Sequence, residues 1–167
     1  SLFLAPYFSV VFFSCAVLRN YNFDWKVDLI DVIWSGSLPV SLAYSAVAHS
    51  YEYLKPATNV SDDTNLTWTH TLVLNGKNAS KVIVSCVRNG ELSLVLVDKT
   101  AEGVSFNTFK TIDEKTCAEF TFENVSIQDS DVIASGDESK NLLIETINLA
   151  TLCISAEAVG CMVSCYN

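Results

Sequence analysis

The sequence predicts an α+β chain in which a β-rich middle is flanked by helical segments. Three observations carry this. Apolar residues at helical spacing fill the two ends. Short apolar runs separated by turn residues fill the middle. Two Asn-Gly pairs, Asn75-Gly76 and Asn89-Gly90, read as hairpin turns, because both central positions of the favoured tight turn need positive φ. The boundaries follow as residues 1–35, 36–134 and 135–167, and the strand series reads as a barrel or sandwich.

The first segment reads as helix. Ser1 to Leu18 carries no charge, and Arg19 is the first ionised side chain. That length is at the lower limit of a membrane span, about 17–25 residues, but Pro6, Ser9 and Ser14 interrupt it and favour a buried or interface helix. No positive region precedes the apolar stretch, so a signal peptide is disfavoured. Val27, Leu29, Ile30, Ile33 and Trp34 give a second short helix that Ser35-Gly36 stops. The strand series then runs Val40–Ser45, Ala57–Ser61, Leu66–Leu74, Val82–Val87, Leu92–Val97, Val104–Phe109 and Glu119–Phe122. Residues 136–165 return to helix, with Ser135 and Glu138 spaced as a capping box. Leu142, Leu143, Ile147, Leu152, Ile154 and Val159 spread over a wide arc, as in a helix buried inside a bundle.

Composition excludes several classes. Half of the 167 residues are apolar and 17% are charged, against roughly 25% in an average domain. Mean hydropathy is +0.30, which excludes a disordered chain. A net charge of −9 leaves no basic excess for a nucleic-acid partner. The chain begins at Ser1 in an apolar run and stops at Asn167 in a helical pattern, which reads as a fragment of a longer protein. The six cysteines, at 15, 86, 117, 153, 161 and 165, form no CxxC pair and read as small buried hydrophobes. Cys161 and Cys165 share a helix face without a third ligand nearby, and His49 and His70 have no metal-like spacing, so no metal site is expected. Sequons at Asn59, Asn65, Asn78 and Asn124 matter only for a secreted glycoprotein, the most remote of three readings.

Five stretches together resemble the acyl-CoA dehydrogenase family. Ser35-Gly36-Ser37-Leu38-Pro39-Val40-Ser41-Leu42-Ala43-Tyr44-Ser45 is similar to its "SGxLxxxLAYSE", and Leu74-Asn75-Gly76-Lys77 to "LNGxK". Leu92–Val97 followed by Glu102-Gly103-Val104 resembles "SLFLV…PGV", Ala118–Ile127 resembles "AELxFDxVxVP", and Ala156–Met162 resembles "AEAVGAM". The nearest branch is that of the pimeloyl-CoA dehydrogenase small subunits. The resemblance implies the end of an N-terminal helical domain, a middle β-barrel and the first helix of a C-terminal bundle. It also implies FAD as cofactor, an acyl-CoA substrate, α,β-desaturation, a homo- or hetero-oligomer, no membrane span and a cytoplasmic location.

The flavin contacts that it implies fall on Leu42, Tyr44, Ser45 and Tyr51. Ser45 keeps a hydroxyl where the family has Thr, but Ala46, Val47 and Ala48 replace its Glu, Pro and Gly. After Lys77 the chain lacks the family strand "xWITNGxxA", which covers one side of the flavin. Asn148-Leu149-Ala150-Thr151 lacks the branch's Asp-Arg, and with it an anion clamp. In the family the carboxylate base lies beyond the point where this sequence stops. No catalytic residue is therefore nominated, and Glu138, Glu145 and Glu157 read as a cap, a plain helix position and part of a packing motif. Weak or absent FAD binding and no turnover by the chain alone are expected, as is a non-catalytic structural or partner role if the chain is a degenerate member.

Overall fold

The structure, a computed structural model, describes residues 39–44, 54, 59–61, 64–112 and 114–166. The expected helices of residues 1–34, and with them the whole 1–35 segment, lie outside the described residues, as does Cys15.

Among the described residues eight strands follow in chain order: β1 (Val40–Ala43), β2 (Asn59–Ser61), β3 (Asn65–Leu74), β4 (Lys81–Arg88), β5 (Glu91–Asp98), β6 (Val104–Lys110), β7 (Thr116–Ser126) and β8 (Val132–Ser135). A 3-10 turn at Asp129–Asp131 precedes β8, and α1 (Gly136–Tyr166) closes the chain. The sheet order is β6-β7-β3-β2-β4-β5-β8, and β1 pairs with β4 off this path.

Alternation along the strands sorts the core into two layers. Val82, Val84 and Cys86 of β4 and Val95 and Val97 of β5 meet Leu66, Val73, Ala118, Phe120 and Phe122 from β3 and β7. The intervening residues Ile83, Leu92 and Leu94 face the other way, onto Val40 and Leu42 of β1, Ile133 and Ala134 of β8, and Leu142, Leu143 and Ala150 of α1. Both faces of β4 and β5 are therefore apolar, which is why they read as continuous runs (Lys81–Arg88, Glu91–Asp98).

The sheet is not a closed barrel, which corrects the expected architecture. Its two ends, β6 and β8, do not bond each other. β8 has four residues and runs directly into α1. The bridge between the halves is the three-residue β2, which touches β4 at one register pair, Asn59↔Val87. The sheet bends across this bridge and folds over its inner core instead of closing through hydrogen bonds.

Asn89-Gly90 forms the expected hairpin: both residues have positive φ (53° and 76°), and Arg88 pairs with Glu91. Asn75-Gly76 does not. Asn75 has φ 56°, but β3 pairs with β2 and β7 rather than with β4, so this turn only redirects the chain. Residues 75–80 hold turns and no strand, held by Asn78 N–H to Asn75 O (3.0 Å) and by Lys99 Nζ, which donates to Gly76 O (3.4 Å) and to Lys77 O (2.5 Å).

α1 is buried only through its first half. Ser139, Leu142, Leu143, Thr146 and Ala150 form one face against the sheet. From Thr151 onward the helix stands clear: Leu152, Ile154, Val159, Met162, Val163 and Tyr166 are all more than half exposed. The expected burial inside a bundle is thus met for only part of the helix. Among the described residues, α1 is also long and apolar enough to cross a membrane by length and composition. Ser135 ends β8, and its hydroxyl accepts from Ser93 Oγ at 3.2 Å.

Candidate functional site

The nominated residues start at the carboxyl end of β1. β1 runs parallel to β4, with Ala43 opposite Val84. Leu42 is buried in the layer between sheet and α1, so its side chain serves that core. Tyr44 is half-buried against the same layer, and burial pushes its phenol above the ordinary range. Ser45 and Tyr51 lie outside the described residues, as does His49.

β4 contributes what the sequence reading missed. Ser85 is fully buried, and its hydroxyl donates to the Ala43 carbonyl at 3.4 Å, tying the end of β1 in place. Ser85 and Ala43 are 42 positions apart, and only the parallel register brings them together. Next to Ser85, burial pushes the Cys86 thiol up to about 12, although Arg88 opposes the shift. This thiol is no nucleophile at neutral pH, where the thiolate would be needed.

Beyond the end of β1, along β4, lies a cavity of ≈ 530 Å³ lined by Leu54, Val87, Gly90, Glu91, Leu92, Ser135, Gly136, Asp137 and Lys140. It sits where the β4–β5 hairpin meets the start of α1. Asp137 accepts from Lys140 Nζ at 2.8 Å; this lowers the carboxyl pKa and raises that of the ammonium. Glu91 Oε2 would lie 2.9 Å from a Cβ placed on Gly136, which has φ +63°. No local signal marks this lining, whose residues come from three separated stretches. Glu138, Glu145 and Glu157 are exposed on α1 and none lines the cavity.

The lining does not fit the diphosphate of FAD: Glu91 and Asp137 bring two carboxylates against one ammonium, already paired. The turn-only segment 75–80 supplies no strand that would cover a flavin. Among the described residues, no group of three or more His, Cys, Asp or Glu side chains could hold a metal. Among the described residues, Cys86, Cys117, Cys153, Cys161 and Cys165 form no disulfide; the first two are buried and the last two exposed.

A bent sheet carrying one long helix on its outer layer is the fold found in solved acyl-CoA dehydrogenases, and this chain shares it. Butyryl-CoA dehydrogenase from Megasphaera elsdenii superposes with TM-score 0.76 at 15% identity over 92% of this chain and 43% of its own. A glutaryl-CoA dehydrogenase from Mycobacterium smegmatis in complex with FADH2 gives TM-score 0.71 at 16% identity, covering 82% of this chain and 38% of its own. The ChsE4-ChsE5 complex from Mycobacterium tuberculosis gives 0.67 at 19% identity, covering 81% and 37%. The chain thus spans about two fifths of the length of these structures. No family model matches the sequence, and no curated protein matches it.

Proposed function

We propose that the chain belongs to the acyl-CoA dehydrogenase family and forms the sheet domain and first bundle helix of a cytoplasmic flavoprotein. That protein would desaturate acyl-CoA thioesters as a homo- or hetero-oligomer, with no membrane span. The observation that carries this reading is the fold likeness at TM-score 0.76 across 92% of the chain, reached independently of the five ordered motifs. Placement in the pimeloyl-CoA dehydrogenase small-subunit branch rests on the motifs alone. The contribution assigned to this part is positional: Ser85 holds the end of β1, Leu42 anchors that strand in the core, and the resemblance assigns flavin contacts to Tyr44, Ser45 and Tyr51 in the stretch that follows.

A second reading is supported by the acidic cavity lining and by the turn at 75–80: a member that keeps the fold and serves as a structural or partner subunit. One experiment separates the two. Purified chain supplied with FAD is examined for flavin absorbance near 450 nm (about the usual flavin band) and for dye reduction with short and long acyl-CoAs. The chain alone is expected to be colourless and inactive under either reading, so the two are separated by the departures that follow. Stoichiometric flavin with turnover would establish the catalytic reading; flavin-free material that co-purifies with a flavin-bearing acyl-CoA dehydrogenase would establish the second.

A further inference from the structure

β6 ends the sheet. Its residues from Ser105 to Lys110 are all exposed, and β7 is its sole strand neighbour among the described residues. The register decides which backbone groups are used. Val104↔Phe122, Ser105↔Thr121 and Asn107↔Glu119 belong to one antiparallel ladder, and at its two ends Glu123 N–H bonds Gly103 O (2.9 Å) and Thr111 N–H bonds Lys115 O (3.0 Å). In an antiparallel pair, directly opposed residues alternate between bonded and non-bonded. Odd-numbered residues of β6 therefore bond to β7, and Phe106, Thr108 and Lys110 turn their N–H and C=O groups outward. These groups recur every two residues, about 6.6–6.8 Å apart, the repeat that an added strand matches.

Edge strands of this kind are ordinarily blunted by charges, proline, bulges or a covering element. β6 has no proline, pairs with β7 without a bulge, and carries one charge, on Lys110 at its last position. Phe106 and Phe109, of opposite parity and hence on opposite faces, are each 40% exposed. Phe106 is the outermost ring of the inner aromatic row, 5.5 Å from Phe120, with Lys99 Nζ 4.0 Å above it.

We propose that β6 is an association edge that pairs antiparallel with β6 of a second copy of this chain. The outward groups of β6 are self-complementary: a two-fold axis through the strand satisfies both copies at once and closes the assembly. In a chain of net charge −9, this strand holds no carboxylate, and its one ammonium, on Lys110, is already paired with Glu114 (2.6 Å), so two copies meet along it without like charges opposed. The added strand would also cover the outer flanks of Phe106 and Phe109. The inference does not rest on the proposed enzymatic function.

Residue-resolved hydrogen exchange on the full chain tests it at two concentrations, about 10 μM and about 500 μM. The expected result is that the Phe106, Thr108 and Lys110 amides slow at least roughly tenfold at the higher concentration, whereas the Ser105, Asn107 and Phe109 amides are protected at both. Even-numbered amides that stay unprotected at high concentration, including in material that associates through α1, would overturn it. So would even-numbered amides equally protected at both concentrations. Thr108→Pro removes one outward N–H without touching the bonds to β7, and should abolish the concentration dependence at Phe106 and Lys110. The double variant Ser105→Lys/Asn107→Lys should do the same through charge while keeping every backbone donor; persistence of the effect in the folded double variant would equally sink the proposal.

Discussion

Thr146 is 1% exposed on the sheet-facing side of α1, and its hydroxyl has no hydrogen-bond partner among the described residues; Ser139 Oγ on the same face and Ser41 Oγ in β1 share that condition. A buried, unpartnered hydroxyl costs about 1–3 kcal/mol. Thr146→Val keeps the shape and removes the polar atom, so it should raise unfolding free energy by about 1 kcal/mol in urea titration. The Cys86 thiol gives a pH signature. Its folded pKa, raised by burial from 9.0 to about 12, means that the neutral thiol is favoured in the fold. The stabilisation is complete below about pH 9 and is lost as pH rises from there towards 12. Denaturation midpoints should therefore fall across that window, and fall less steeply in Cys86→Ala. In native thiol labelling at pH 8, Cys161 and Cys165, both exposed, should react well before Cys86 and Cys117.

α1 is two helices in energetic terms. Leu142 is 3% exposed and belongs to the core cluster that holds Leu143, Leu94 and Ile83, whereas Leu152 is 66% exposed. Leu142→Ala should cost about 2–5 kcal/mol, and Leu152→Ala no more than about 0.5 kcal/mol. Equal losses would mean that the second half of α1 is packed in solution. The sequence showed that residues 136–165 are helical and apolar nearly all round, because periodicity is local. It did not show where burial stops, because that depends on how far the β5–β8 layer extends beneath the helix.

At the scale of the whole molecule, the exposed half of α1 determines solution behaviour. Leu152, Ile154, Val159, Met162, Val163 and Tyr166 form an apolar surface interrupted by Glu157 alone among charged residues. Apolar patches beyond a few hundred Å² drive association. Light scattering of the chain at about 50 μM should show species larger than a monomer, and Leu152→Glu with Val163→Glu should reduce them. A monomer in both proteins would refute this surface as an associating one. Two associating features then coexist, the α1 surface, which follows the β8 end of the sheet, and the β6 edge at its other end, and amide exchange at Phe106 and Thr108 distinguishes them.

From residue 40 onward the sequence by itself determined the order of the described elements, seven of the eight described strands within a few residues of their positions, the Asn89-Gly90 hairpin and the absence of a CxxC framework. Each is set by short-range physics: side-chain period, turn chemistry and residue spacing. It missed β8, whose four residues Val132–Ser135 lie against the start of α1, and it read Asn75-Gly76 as a hairpin although β3 finds its partners elsewhere. Only the tertiary structure decided which strands pair, that the sheet stays open, and that Ser85 reaches Ala43 beside Tyr44. It alone joined Glu91, Asp137 and Lys140 around one cavity. These outcomes depend on contacts between residues tens of positions apart, where the apolar pattern of β4 and β5 is equally compatible with several neighbours. Packing both faces of those strands at once selects the arrangement observed.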